Sequence, residues 1–241
     1  MWVRFYPLYK YLVYIPFLVM WTLVNFLGVV AVAPFSPRLA SRWFGGNWGR
    51  GLLWLIPARL RVTAAPGFDP GQSYIIACNH LSLIDIPVLY GWLDLDLKWV
   101  MKKEVRRIPM IGGGCALLGH IFLDRSDREA ALRTLREFES RMAAGTSVLF
   151  FPEGTRSRDG KMREFKMGAF HMAKDLGLPI LPVTLEGTDT ILPSDGMTLR
   201  PGVARMHIHD PISAQQVLSS NPEQLRDLTR DVIASELASL T

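Results

Sequence analysis

The chain has 241 residues, a formal charge of +5, a pI near 9.4 and a positive mean hydropathy. That length accommodates one α/β domain with a substantial core and an appended segment. Two cysteines, Cys78 and Cys115, rule out a disulfide framework or a cysteine metal quartet and favour a reducing compartment. The basic balance predicts an anionic partner, and seven tryptophans favour a membrane surface over nucleic acid.

No residue from Tyr11 to Pro37 carries a charge. As a helix this run would extend about 40 Å, against a hydrocarbon core of about 30 Å. It far exceeds the apolar core of a signal peptide, and no clear small-residue cleavage site follows it. Pro16 and Asn25 interrupt it, so a spanning helix and a kinked helix within one leaflet both fit. Tryptophans and arginines interleaved from Arg42 to Ile56 suit the headgroup level of a bilayer. Arg38, Arg42, Arg50, Arg59 and Arg61 follow the apolar run, against Arg4 and Lys10 before it. That bias puts the rest of the chain on the cytoplasmic face, of the inner membrane in a bacterium. Residues 1–60 therefore read as membrane-anchoring helices and 61–241 as a separate domain.

From Arg61 onward strands and helices alternate. Tyr74–Cys78, Lys98–Met101, Ile121–Leu123, Val148–Phe151, Ile180–Leu185 and Ala204–Ile208 read as strands. Ile86–Trp92, Asp127–Met142, Gly168–Leu176 and Pro222–Leu240 read as helices, and Pro109 to Gly114 as a turn. Leu132, Leu135 and Met142 would share one face of the Asp127 helix, with Arg133 and Glu137 four apart on another. The pattern predicts an α/β fold: a mixed, mostly parallel sheet covered by helices.

The chemistry gathers at strand ends. Asn79-His80-Leu81-Ser82-Leu83-Ile84-Asp85 joins the first strand to a helix, so Asp85 can fold back onto the His80 imidazole. A histidine held by a carboxylate can take a proton from a hydroxyl. The same heptapeptide also fits a helix cap by Asp85 or Ser82, with His80 an ordinary loop residue. Asp124-Arg125 and Pro152-Glu153-Gly154-Thr155-Arg156 end two further strands. In open α/β sheets ligands bind beyond the carboxyl ends of strands, so parallel neighbours would bring these groups into one crevice. Arg125 and Arg156 have the planar fork that grips phosphate, Gly154 allows close backbone approach, and Glu153 could accept from substrate hydroxyls.

Other chemistries fit less well. There is no Gly-x-Ser-x-Gly elbow, and Gly112-Gly113-Gly114 lacks the lysine of a phosphate loop. His207 and His209 have no nearby cysteine or histidine to complete a metal site. Cys78 and Ser82 flank the histidine as possible acyl carriers, but their positions suit a core contact and a cap better.

Four ordered blocks resemble a known family. They are Asn79-His80-x4-Asp85, Gly119 to Arg125, Phe151 to Ser157, and Leu181-Pro182-Val183. Together they resemble the glycerolipid acyltransferases, and most of all the 1-acyl-sn-glycerol-3-phosphate acyltransferases. Lys102-Lys103-Glu104 and Phe165-Lys166-x-Gly168-Ala169-Phe170 are similar to further stretches of that family, so the likeness spans about Ser73 to Thr188. His120 and Leu123 depart from the usual second block.

The resemblance implies direct acyl transfer with His80 as base and Asp85 as its orienting partner. It needs no cofactor and no metal. The acyl donor would be acyl-CoA or acyl-carrier protein, and the acceptor lysophosphatidic acid within membrane lipids. Asn79, Lys102, Lys103, Arg125, Glu153, Gly154, Thr155 and Arg156 would hold substrate. A transferase for another lysolipid or for glycerol 3-phosphate, or a membrane protein that only binds anionic lipid, stays open.

Overall fold

The computed structural model describes residues 2–157, 161–193 and 198–239. Helix α1 (Trp2–Tyr9) continues through a π-helical segment, Lys10–Tyr14, into α2 (Ile15–Val32). Its stretch Tyr6–Val32 is long and apolar enough to cross a membrane. Ser36 caps α3 (Pro37–Ala40) by accepting from the Leu39 N–H, and a second π-helical segment leads to α4 (Gly46–Trp54).

The remainder runs β1 (Ala58–Ala64), β2 (Ile75–Cys78), α5 (Asp85–Trp92), β3 (Asp96–Lys102), α6 (Ile111–Leu117), β4 (Ile121–Leu123), α7 (Arg128–Glu139) and β5 (Thr146–Phe150). It closes with α8 (Gly168–Leu176), β6 (Ile180–Glu186), α9 (Thr188–Ile191), β7 (Gly202–Ile208), α10 (Ala214–Ser219) and α11 (Pro222–Ser239). The expected last residue of α11, Leu240, lies outside the described residues.

The strands form one seven-stranded sheet in the order β1-β7-β6-β2-β5-β3-β4. β6, β2, β5, β3 and β4 are parallel; β7 pairs antiparallel to β6, and β1 parallel to β7. This is the mixed, mostly parallel sheet that the alternation predicts. Residues of one strand alternate between the two faces. Ile76 and Cys78 pack into one core with α5, and Ile75 and Ala77 into the other with α8 and α11. Burial on both faces explains why β2 and β5 read as unbroken apolar runs.

Several local expectations change. Of the expected Pro109–Gly114 turn only Pro109 and Met110 are a turn, after a 3-10 segment at Lys103–Arg107; the three glycines lie in α6. A Cβ on Gly112 would lie 2.1 Å from the Arg106 carbonyl, and Gly113 and Gly114 face the Phe26 ring of α2. Close packing there outweighs the poor helix propensity of glycine. On α7 the core-facing residues are Leu135 and Phe138, whereas Leu132 is 40% exposed. Arg133 pairs with Glu129 at 3.7 Å on that helix. Strand β1 begins at Ala58, ahead of the boundary expected at residue 61.

The N-terminal helices pack on the domain. Trp48 donates its indole N–H to Thr22 at 3.1 Å, tying α4 to α2, and Arg50 Nε donates to the Gly91 carbonyl at 2.7 Å, tying α4 to α5. A Cβ on Gly49 would sit 2.5 Å from the Pro87 carbonyl, so glycine sets the closeness of that crossing.

Candidate active site

The four parallel strands β2, β5, β3 and β4 are neighbours, so their carboxyl ends share one edge of the sheet. His80 follows β2, Phe151 to Arg156 follow β5, Lys102 ends β3, and Arg125 follows β4.

Asp85 stands at the start of α5 and is fully buried. Its Oδ2 accepts from His80 Nδ1 at 2.7 Å and from the backbone N–H groups of Leu81 at 2.7 Å and Ser82 at 2.8 Å. One oxygen thus fixes the turn and grips the imidazole. Ile84 holds the N-cap position of α5 with no side-chain cap, so neither Asp85 nor Ser82 serves as the expected helix cap. The bond to the imidazole occupies Nδ1 and leaves Nε2 on the other side of the ring. The His80 side chain is 13% exposed and its ring stacks on Phe151, with centroids 3.8 Å apart and planes 12° apart. Two other groups grip its peptide: Glu153 Oε1 accepts from His80 N at 2.8 Å, and Ser157 N donates to the His80 carbonyl at 2.8 Å.

His80 borders a cavity of about 430 Å³. Its mouth carries Lys102, Arg125, Gly154, Thr155 and Arg156, all expected to meet substrate. Arg125 donates through Nη1 to the Gly154 carbonyl, which joins the β4 and β5 ends. Gly154 has φ +74°, and a Cβ there would meet Lys166 Nζ at 2.8 Å, so glycine keeps this turn tight.

Three expected ligands are placed otherwise. Asn79 is fully buried; its Nδ2 donates to the Leu185 carbonyl and its Oδ1 accepts from Leu185 N, each at 2.8 Å. It thus continues the β2–β6 ladder past the end of β2. Lys103 turns away from the cavity to pair with Asp124. The hydrogen bond from that lysine, with those from Ser126, lowers the Asp124 pKa to about 2. Glu153 is 4% exposed, and its oxygens accept the N–H groups of His80 and Arg163, each at 2.8 Å. Burial pushes its pKa up, against the effect of those two bonds.

The alternative nucleophiles are also accounted for. Burial raises the Cys78 pKa well above the ordinary thiol value, with Asp85 and Glu153 adding to the shift. Ser82 Oγ donates to the Leu192 carbonyl at 2.7 Å and accepts from Ile84 N at 3.2 Å.

The cavity walls include residues that strand-end reasoning did not assign. Thr22, Asn25, Phe26 and Val29 of α2 form one side. Thr22 and Asn25, polar residues three apart in an uncharged run, were the sequence signal for that buried face. Phe151, Trp99 and Tyr90 also line the cavity, successive ring centroids lying 6.0 and 5.5 Å apart. Beyond Tyr90, burial holds the His120 pKa down to about 3, with the Lys98 charge acting in the same direction. The interior is thus apolar and bounded by uncharged groups, while its mouth is cationic. No cluster of metal-binding side chains occurs among the described residues.

The His80–Asp85 pair at a strand end thus borders, through His80, a mainly apolar cavity whose lining also includes Lys102, Arg125 and Arg156. The profile of the family described as Acyltransferase matches residues 59–186, more than half of the sequence, and the chain belongs to that family.

Among its relatives, a 1-acyl-sn-glycerol-3-phosphate acyltransferase of Chlamydomonas reinhardtii is 38% identical over 169 residues, covering 70% of this chain and 49% of that protein. The chain likewise spans about half the length of the Brassica napus relative, at 48%. A 1-acyl-sn-glycerol-3-phosphate acyltransferase of Borreliella burgdorferi is 30% identical over 194 residues, covering 78% of this chain and 75% of its own. The crystal structure of the 1-acyl-sn-glycerophosphate (LPA) acyltransferase PlsC from Thermotoga maritima superposes with a TM-score of 0.73. It is 27% identical, and the match covers 92% of this chain and 95% of that one.

Proposed function

We propose that this protein transfers a fatty acyl group from a thioester to the free sn-2 hydroxyl of 1-acyl-sn-glycerol 3-phosphate, yielding phosphatidic acid. The observation that carries this reading is the position of His80, at the junction of an apolar cavity and a cationic mouth. The acceptor's phosphate binds at Arg156 and Arg125, with Lys102 beside them, and the apolar cavity takes a fatty acyl chain. The names of the relatives support the acceptor.

His80 Nε2 removes the hydroxyl proton as the oxygen attacks the thioester carbonyl, and Asp85 stabilises the imidazolium that forms. Collapse of the tetrahedral intermediate breaks the C–S bond, and the imidazolium returns its proton to the departing thiolate. A thioester is already activated, so the reaction passes through no acyl-enzyme. The high Cys78 pKa and the double engagement of Ser82 support that direct route.

The exposed side of the N-terminal helices completes the reading. Met20, Leu23, Leu27 and Val30 of α2 point outward, as do Trp43 and Trp54, which are 65% and 77% exposed. In water this would be a large unpartnered apolar surface. In a bilayer it seats the cavity mouth beside its lipid acceptor. The basic bias after the apolar run puts the catalytic domain on the cytoplasmic face.

The test is thiol release from an acyl-CoA, and separately from an acyl-carrier protein, in detergent with and without lysophosphatidic acid. Release that requires both the acceptor and His80, tested with His80→Ala, is expected. Equal rates with phosphate-free lysolipids would refute the phosphate site, and no release from either donor would refute the enzyme reading.

A further inference from the structure

We infer that Glu153 is a positioning residue that couples binding of the acceptor phosphate to the orientation of His80. The inference rests on the acyltransferase reading above and concerns how that site is assembled.

Glu153 opens the turn that follows β5, and Ser157 closes it. Those two residues hold the His80 peptide from both ends, at its N–H and at its carbonyl, each at 2.8 Å. Between them lie Gly154, Thr155 and Arg156, which border the cavity mouth. The stem of the turn is closed by Arg163 N donating to Glu153 Oε2 and by Lys166 N donating to the Pro152 carbonyl, each at 2.8 Å. A phosphate gripped by Arg156 and the 154–156 backbone therefore pulls on a turn whose two anchors are the partners of the base.

Burying a carboxylate is costly unless its oxygens are satisfied, and Glu153 meets that cost with two peptide N–H groups. Neither oxygen borders the cavity, so substrate contact is not what holds the residue there. Its reach from the β5 end to the β2 end makes it a strut between the phosphate turn and the base. Binding energy from a remote substrate group can then raise turnover as well as affinity.

The test compares wild type, Glu153→Gln and Glu153→Asp. Glutamine keeps the volume but turns an amide donor toward one of the two N–H groups; aspartate keeps the charge and shortens the reach. We expect kcat to fall about a hundredfold in Glu153→Gln, the scale of a slight misplacement of a catalytic group. The acceptor KM should stay within about twofold. Wild type should also turn over 1-monoacylglycerol slowly and be accelerated by added inorganic phosphite, whereas Glu153→Gln should not respond. A raised acceptor KM with unchanged kcat, or equal phosphite activation in both proteins, would overturn the inference.

Hydrogen exchange of the 78–84 segment supplies a readout independent of turnover. We expect exchange at His80 to be about tenfold faster in both variants, the worth of one lost hydrogen bond. Lysophosphatidic acid should slow it in wild type only. Unaltered exchange would refute the strut. Absence of transfer by wild type to any acceptor would refute the function while leaving this arm decisive.

Discussion

Replacing Asp85 with asparagine separates the two tasks of that carboxylate. Oδ2 binds the Leu81 and Ser82 N–H groups as well as the imidazole. An asparagine carbonyl in the same place can still accept all three, so the turn should persist. What disappears is the charge opposite the imidazolium. At about 4 Å and an effective dielectric near 20, an ion pair is worth about 4 kcal/mol, or about three decades in rate. The amide dipole returns part of that, so kcat should fall by about 10²- to 10³-fold. Asp85 does not border the cavity, so the KM for each substrate should move less than about twofold. Initial rates of thiol release, with both substrates varied in detergent micelles, measure this directly. A kcat within about threefold of wild type would show that Asp85 only shapes the turn, and the base assignment would have to be abandoned.

The other predictions concern the mouth, the cavity, the anchor and the core. Arg156→Lys should raise the KM for lysophosphatidic acid about tenfold with little effect on the donor, because a point charge replaces a two-pronged grip; a shift confined to the donor would move this residue to the other substrate. Gly114→Val adds bulk to the wall beside Phe26 and should shift preference toward shorter acyl donors in a chain-length series; an unchanged profile would remove that wall from the acyl site. Replacing the exposed Trp43 and Trp54 together with glutamate should move protein from vesicle pellet to supernatant, and unchanged sedimentation would refute the membrane-facing assignment. Because buried His120 has a pKa near 3 against an ordinary value of 6.5, the unfolded chain takes up its proton first on acidification. Stability should therefore decline as pH falls below 6.5 and continue to do so toward 3, by up to about 1.4 kcal/mol per pH unit. His120→Gln should flatten that slope in denaturant titrations, and an identical slope would contradict the buried neutral imidazole.

How far the sequence carried depended on the range of the interaction. His80 and Asp85 are five residues apart, and one local turn brings them together. Asn79 and Leu185, which pair through backbone and side chain, are 106 residues apart. Nothing about an asparagine in a motif distinguishes a ligand from a ladder contact over that distance. The same holds for Glu153, whose partners are a remote peptide N–H and one beyond the turn. Lys102 and Lys103 look equivalent in sequence, yet the end of β3 sends one to the cavity and the other to Asp124. Strand β1 has no apolar run to mark it, because its residues are mostly exposed and its partner β7 lies far along the chain. The glycines of α6 argued for a turn until the close approach of α2 and the 3-10 segment accounted for them.

Helix α2 has one side in the cavity wall and the other turned outward as an apolar surface. Trimming the N-terminus to obtain a freely soluble protein would therefore remove part of the cavity wall along with the outward apolar surface. The surfactant that replaces lipid becomes a kinetic variable as well as a solubilising agent. One that pries α2 from α6 should depress turnover while leaving the sheet folded, and dilution into lipid nanodiscs should restore it.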